Sequence, residues 1–343
     1  MLESIAIDVI RRREELAALA AQWSALCRHD PNATPFQSPE WLLPWARQFA
    51  RRDLRCITIR QRTRLIGLIP AYIYTEPRRR ERQLLLLGAG TSDYLDGVFA
   101  PACTTDHIRN ALRLLHDASE WDIAYFTQMR PGSKLLDALA SSSGLRAAPA
   151  HSQTCMRMRA MRIAELPAKL RQNVHYYSNR TRRRGSMEVR TASIRDSLER
   201  FEDLCRLHAE RWRRSGQPGV LADPRVLAWH REALPLLAHA GMLRLTTLMQ
   251  GGEPAASLYS LIDPPSRRDR TLYVYLPAFS IRHADLRPGT LLLAHVIDQA
   301  AQEGVGRIDF LRGDEAYKHQ WHAEGFPTFG LSLPPATPLA RAA

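Results

Sequence analysis

The chain has 343 residues, 45% of them hydrophobic and 24% charged, with a net charge of +13. This composition suits one large or two ordinary folded domains and excludes a disordered or collagen-like chain. No apolar run reaches the roughly 18–20 residues of a membrane-spanning helix.

In chain order, residues 5–10 read as a strand. Residues 12–27 carry a helical apolar stripe through Leu16, Leu19, Trp23 and Leu26. A second helix opens at Ser38-Pro39-Glu40, with Ser38 as its cap and Pro39 at the first helical position. Strands follow at 54–60, 65–74 and 83–87. A helix is expected at 105–119, a strand at 121–127 and a helix at 132–140. The second half repeats this order: a strand at 154–161, helices at 166–184, 197–213 and 223–238, and a hairpin at 242–262 around Gly251-Gly252. A strand at 271–276, a helix at 288–302, a strand at 306–311, a short helix at 314–322 and a last strand at 327–333 complete it. The repeated order, and the likeness of LRCIT at 54–58 to LRLTT at 243–247, predict a duplicated α/β architecture. The expected domains are 1–150 and 151–334, with a linker-like stretch at 141–144 and a flexible tail at 335–343.

The five cysteines are widely spaced, and no CxxC pair exists. With Glu3, Asp8 and Arg11–Arg13 where a secretory leader would be apolar, the chain reads as cytoplasmic and reduced. Buried inert thiols and no metal are expected.

Lys134, Lys169 and Lys318 are the only lysines, so the positive charge is almost all arginine. Its distribution says more than its total. Residues 155–190 hold ten basic and two acidic residues. Such a surplus attracts phosphates, or is simply a solvated helix face.

The densest functional segment is DFLRGDEAYKHQW at 309–321. A strand there delivers Arg312, Gly313, Asp314 and Glu315 into a turn, and ligands of α/β sheets collect beyond strand carboxyl ends. At helical spacing Asp314, Tyr317 and Lys318 share one face, suited to an anionic or acyl-bearing substrate. The simpler reading is an Asp314–Lys318 surface salt bridge. A second segment, YVYLPAFSIRHADLRPGTLLL at 273–293, opens a helix whose backbone N–H groups can hold a phosphate. A third, NVHYYSNRTRRRGSMEVR at 173–190, interleaves arginine with tyrosine. A fourth, HAERWRRSGQPG at 208–219, ends a helix with Arg211 and Trp212. Nucleotide P-loop, lipase-elbow and zinc-protease motifs are absent from the sequence.

These segments, with SPEWLLPW and GTSDYLDGVF in the first half, resemble the CelD-like, BioF-like acetyltransferases of the GNAT superfamily, related to the FemABX peptidyltransferases. The resemblance spans roughly residues 30–330. It implies a tandem GNAT fold of mixed sheets with flanking helices. It also implies N-acyl transfer from acyl-CoA, for example acetyl-CoA, to a small-molecule or glycan amine in envelope or polysaccharide synthesis. The donor would lie in a gap between 273–279 and 307–311, with Tyr275 in its site and its pyrophosphate on Arg287, Gly289 and Thr290. Asp314 or Glu315 would act as base and Tyr317 as acid. Arg312, Lys318, Trp321, Arg211 and Trp212 would hold the acceptor. The pyrophosphate motif is altered, with Leu291 at a place where the family has glycine or alanine. Two alternatives follow from the same likeness: FemABX relatives take their donor from aminoacyl-tRNA, which the arginines at 180–184 would suit, and an inactive member would serve as a binding subunit of exopolysaccharide assembly.

Overall fold

The computed structural model describes residues 4–118, 120–141 and 148–334. Most of the 141–144 stretch and the tail at 335–343 lie outside the described residues. The chain divides into two compact units: residues 1–153 with 327–343, and Thr154–Phe326. The last strand thus splits between the units, where the sequence reading gave it whole to the second.

Unit one runs β1 (Ile5–Ile10), α1 (Arg13–Ala18), α2 (Ala20–His29), α3 (Pro39–Phe49), β2 (Cys56–Gln61), β3 (Arg64–Ile69), β4 (Ala71–Thr75), β5 (Arg82–Leu86), β6 (Val98–Phe99), α4 (Thr105–Asp117), β7 (Ile123–Met129) and α5 (Lys134–Ala140). The strand expected at 65–74 is broken at Pro70. A proline gives no N–H to a ladder, so β3 stays antiparallel to β2 while β4 pairs with β5 in another sheet. The helix expected at 12–27 is likewise divided, at Leu19. Ser38 precedes α3 as expected, but its side chain makes no capping bond. Two of the motifs quoted above meet in this core. The Trp41 and Trp45 indole N–H groups donate to the hydroxyls of Ser92 and Thr91, both at 2.7 Å.

Unit two begins within β8 (Ala150–Arg159) and continues through α6 (Ala168–Arg183), β9 (Met187–Thr191), α7 (Ser197–Arg214), α8 (Pro224–His239), β10 (Leu243–Gln250), β11 (Glu253–Ile262), β12 (Thr271–Phe279), α9 (Pro288–Gln302), β13 (Arg307–Arg312), α10 (Ala316–Gln320) and the start of β14 (Glu324–Leu333). Its strands lie in the order β8-β13-β12-β11-β10-β9, and only β12 and β13 are parallel. β9 was missed in the sequence because its five residues, MEVRT, carry two charges and follow an arginine run. The core joins Leu170 and Val174 of α6 and Leu292, Val296 and Ile297 of α9 to Leu258, Val274, Ile308 and Phe310 of the sheet. These apolar residues recur at helical spacing on α6 and α9, which lays both helices on the sheet.

Candidate functional site

β12 and β13 pair over three residues only, Thr271–Tyr273 against Arg307–Asp309. Two irregularities force them apart beyond that point. β12 bulges at Tyr275, where its register with β11 shifts. β13 bulges between Asp309 and Arg312, with Leu311 at a left-handed φ of 60° and its N–H donated to the Asp309 carboxylate at 2.8 Å. A β-branch-free leucine tolerates that conformation only where surrounding contacts hold it. Lys318 supplies such contacts. Its ammonium is buried and donates to the carbonyls of Leu311, Arg312 and Gly313 at 3.3, 2.7 and 3.0 Å, and pairs with Glu315 at 2.8 Å.

The splay opens a cavity of about 320 Å³. Leu258, Val274, Ala278, Phe279, Leu292 and Leu293 give it an apolar wall. Its polar and charged lining comprises Ser257, Arg211, Arg287, Thr290, Tyr317 and Gln320, and it includes no carboxylate among the described residues. The guanidinium of Arg211 stands over the Phe279 ring at 5.2 Å. Neither Arg211 nor Arg287 has a carboxylate partner among the described residues. Tyr317 is 37% exposed, and burial pushes its hydroxyl up to about 12, with Glu315 adding to the rise and Arg211 opposing it. It therefore carries its proton at neutral pH.

At the cavity mouth, α9 starts without a side-chain cap. Its N-cap, Arg287, sits at φ 51°, ψ 47°. Pro288 has no N–H, and Thr290 and Leu291 both donate back to the Arg287 carbonyl. Gly289 keeps the approach open: a methyl there would rest 3.6 Å from the Phe279 ring. A second hollow of about 440 Å³ shares Arg287, Thr290 and Gln320 with the first and reaches Lys169, Asn173 and Tyr177 of α6.

The structure brings together Arg211, Arg287, Gly289, Thr290, Tyr317 and Trp321, all at the cavity. Other expected site residues stand elsewhere. Asp314 is exposed and bonded to His319 at 2.5 Å, not to Lys318. Glu315 is turned to Lys318. Lys318 is enclosed by carbonyls, so Asp314, Tyr317 and Lys318 do not present one face: α10 starts only at Ala316, and Asp314 precedes it. Tyr275 packs on the opposite side of the sheet against His230 and Tyr259, with ring centroids at 5.7 and 5.4 Å. Trp212 lies tilted beside His208, with ring centroids at 5.9 Å, against Gly219. There φ is +71° and a Cβ would fall 2.5 Å from the imidazole, so glycine is required twice over. Arg312 does not line the cavity. The aliphatic lining from β11 and α9 was missed, because its residues read as ordinary core.

Among the described residues no group of His, Cys, Asp and Glu could hold a metal, and no helix is long and apolar enough to cross a membrane. None of the five cysteines is in a disulfide; Cys27 and Cys205 are half-buried and the others buried.

A family model described as an acetyltransferase (GNAT) domain matches residues 168–319, which contain α6 through β13 and all of the cavity lining but Gln320 and Trp321. Residues 168–319 have the GNAT fold. The whole chain has the tandem GNAT fold shared with FemABX-type proteins. FemX is similar over 96% of this chain and 97% of its own, with a TM-score of 0.65 at 10% identity. L-PGS from Bacillus licheniformis covers 93% of each chain, with a TM-score of 0.59 at 13% identity. A tandem GNAT protein from the clavulanic acid biosynthesis pathway covers 96% of this chain and 98% of its own, with a TM-score of 0.53 at 11% identity. At these identities the likeness is one of fold. No curated protein matches the sequence.

Proposed function

We propose that the GNAT domain is an N-acyltransferase that moves an acyl group from a thioester, acyl-CoA in the simplest case, to an amine by direct attack. The observation that carries this reading is the cavity's charge: an apolar slot edged by two arginines and no carboxylate. Such a slot accepts an uncharged acyl chain and repels the α-ammonium of an aminoacyl ester, which disfavours an aminoacyl-tRNA donor. Beyond Tyr273 the β12 edge toward β13 has no strand paired to it, so its backbone can polarise a thioester carbonyl. The amine nitrogen bonds to that carbonyl carbon, the C–S bond breaks, Tyr317 gives its proton to the leaving sulfur, and the proton that the nitrogen sheds restores the Tyr317 hydroxyl. No carboxylate base stands in the slot, so the amine enters uncharged; Asp314 and Glu315 are not assigned that role. Arg211 would hold an anionic group of the acceptor, and Arg287 with Thr290 the donor phosphate. A cytoplasmic, CelD-like role in modifying a glycan or small amine fits this chemistry.

Thermal unfolding with CoA, a series of acyl-CoAs from acetyl upward, and bulk aminoacylated tRNA tests the reading. A ligand at 100 times its Kd adds about 2.7 kcal/mol. Stabilisation by an acyl-CoA with release of free thiol on adding an amine is expected. Stabilisation by aminoacyl-tRNA alone would transfer the chain to that donor class, and no response to any donor would favour a binding subunit.

A further inference from the structure

We propose that the exposed face of α6 is a docking surface for a small acidic carrier protein, which presents the acyl group on a phosphopantetheine arm. This rests on the thioester reading and names the donor's bearer.

The first observation is charge. From Leu166 to Met187 the chain has no Asp or Glu, but it carries Lys169, Arg171, Arg180, Arg182, Arg183 and Arg184. Arg180 and Arg184 are both held by Asp285, at 2.9 and 2.6 Å. Arg171 donates to the carbonyls of Ala164 and Leu166 at 2.8 and 3.4 Å. Lys169, Arg182 and Arg183 are exposed and have no carboxylate partner among the described residues. With Arg171, whose partners are uncharged carbonyls, these make four uncompensated cations on one helix, which attract an acidic surface from a distance.

The second observation is shape. Arg171, Gln172, His175, Tyr176, Asn179, Arg180 and Arg183 line one shallow hollow of about 550 Å³. Tyr176 is 57% exposed, and its ring meets Tyr177 edge-on at 5.1 Å. Arginine beside exposed tyrosine is the pairing that protein interfaces concentrate. From Lys169 to Arg183 the face is about 21 Å long at 1.5 Å per residue. That exceeds the phosphates of one bound nucleotide and suits a facing helix.

The third is continuity. Tyr177, Asn173 and Lys169 border the hollow that shares Arg287, Thr290 and Gln320 with the acyl cavity. A carrier seated on α6 can thread its arm past Arg287 into the slot. The α9 start suits such an arm: with Pro288 at its first position and Thr290 and Leu291 bonded internally, only the Gly289 N–H of that turn lacks a partner among the described residues. One phosphodiester asks for fewer donors than a pyrophosphate. The acyl carbon leaves the arm's sulfur for the amine nitrogen. The sulfur gains one proton as the thiol, and the amine loses one.

The test measures binding of a fluorescently labelled acidic acyl carrier protein, with and without its arm, to the full chain, beside CoA thioesters and bulk tRNA. We expect carrier binding that weakens at least tenfold between about 50 and 500 mM salt. It should weaken at least tenfold again in Gln172→Glu/Arg183→Glu, two positions whose side chains make no hydrogen bond among the described residues. The armed carrier should bind more tightly than the armless one. Failure of carrier binding while acyl-CoA still stabilises the protein overturns the docking surface and leaves the thioester reading standing. Tighter binding of tRNA, weakened by the same double variant, also overturns it and makes the face an RNA site. Failure of both carrier and acyl-CoA overturns both readings. The salt titration uses the unaltered chain, so a poorly folded variant cannot mask the outcome.

Discussion

Each unit contains a parallel strand pair joined by a helix: β5 and β7 through α4 in the first, β12 and β13 through α9 in the second. Both pairs share three residues of register. In both, the second strand carries a left-handed residue just before its end, Gln128 at φ 58° and Leu311 at φ 60°, and shifts register there. This shared irregularity supports the proposal that the units arose by duplication. The crossover helices differ at their starts. Thr104 caps α4 with its hydroxyl on the His107 N–H, and His107 returns the bond to the Thr104 N–H. α9 has no such cap and opens on a cavity. A helix start closed by its own side chains asks nothing of a ligand, whereas the uncapped α9 start, with Gly289 in the cavity wall, is placed to receive one. The comparison supports placing the proposed chemistry in the second unit.

The largest effect that would break this assignment is kinetic. Tyr317→Phe should lower kcat about 10²–10⁴-fold while leaving donor affinity nearly unchanged. Steady-state kinetics with the best thioester checks it. Unaltered turnover would remove the β13–α10 turn from the chemistry.

The units should also differ in their response to pH. In unit two, burial pushes His208 down to about 4 and His230 down to about 3. Both stay neutral when folded, whereas the unfolded imidazole takes a proton near pH 6.5. Stability is therefore full above that value and falls as pH drops toward 4, by about 2 kcal/mol for each histidine at pH 5. In unit one the sign is reversed. Burial raises the Asp96 carboxyl to about 7, the Ser133 and Gly97 bonds opposing, Asp30 adding and Arg130 opposing. Its contribution is full below the unfolded value near 4 and is lost as pH rises through 7. Hydrogen exchange at pH 5 and 7.5 should show unit two loosening at the lower pH and unit one at the higher. Parallel responses would contradict it.

Lys318→Met tests what keeps the gap open. Three carbonyls lose their donor, so stability should fall by about 2–3 kcal/mol in equilibrium denaturation. A variant as stable as the parent but without turnover would return Lys318 to the substrate.

Much of this contrast was legible in the letters. The Pro-Gly of RPGTLLL marks the start of α9, and the element order gives the duplicated α/β plan. What the letters hid depends on backbone irregularity. Counting positions along 309–321 puts Asp314 and Lys318 on one helical face, but Leu311 turns left-handed and Gly313 follows at φ 99°, so the helix begins two residues late. Tyr275 is a different case: simple alternation with Leu272 and Val274, which face α6 and α9, already puts its ring on the other side of the sheet among His230 and Tyr259. Lys318 could not be recognised as a buried ammonium until the carbonyls that surround it had been placed.

The smallest effects sharpen the comparison most directly, because they exchange the two helix starts. Thr104→Ala removes the α4 cap and should cost about 1 kcal/mol, with no change in donor binding. Arg287→Gly does the reverse. A left-handed arginine is strained by about 1–2 kcal/mol relative to glycine, partly offset by glycine's greater freedom in the unfolded chain. The variant should be as stable as the parent or up to about 1 kcal/mol more stable. It should nonetheless bind the donor several-fold more weakly, since the guanidinium at the cavity mouth is gone. Denaturation curves and donor titrations on both variants give four numbers. Stability lost at α4 without affinity, and affinity lost at α9 without stability, is the pattern that a self-satisfied and a ligand-completed helix start require. Loss of stability in Arg287→Gly would mean that the arginine holds the fold, and the left-handed turn would then need no ligand to account for it.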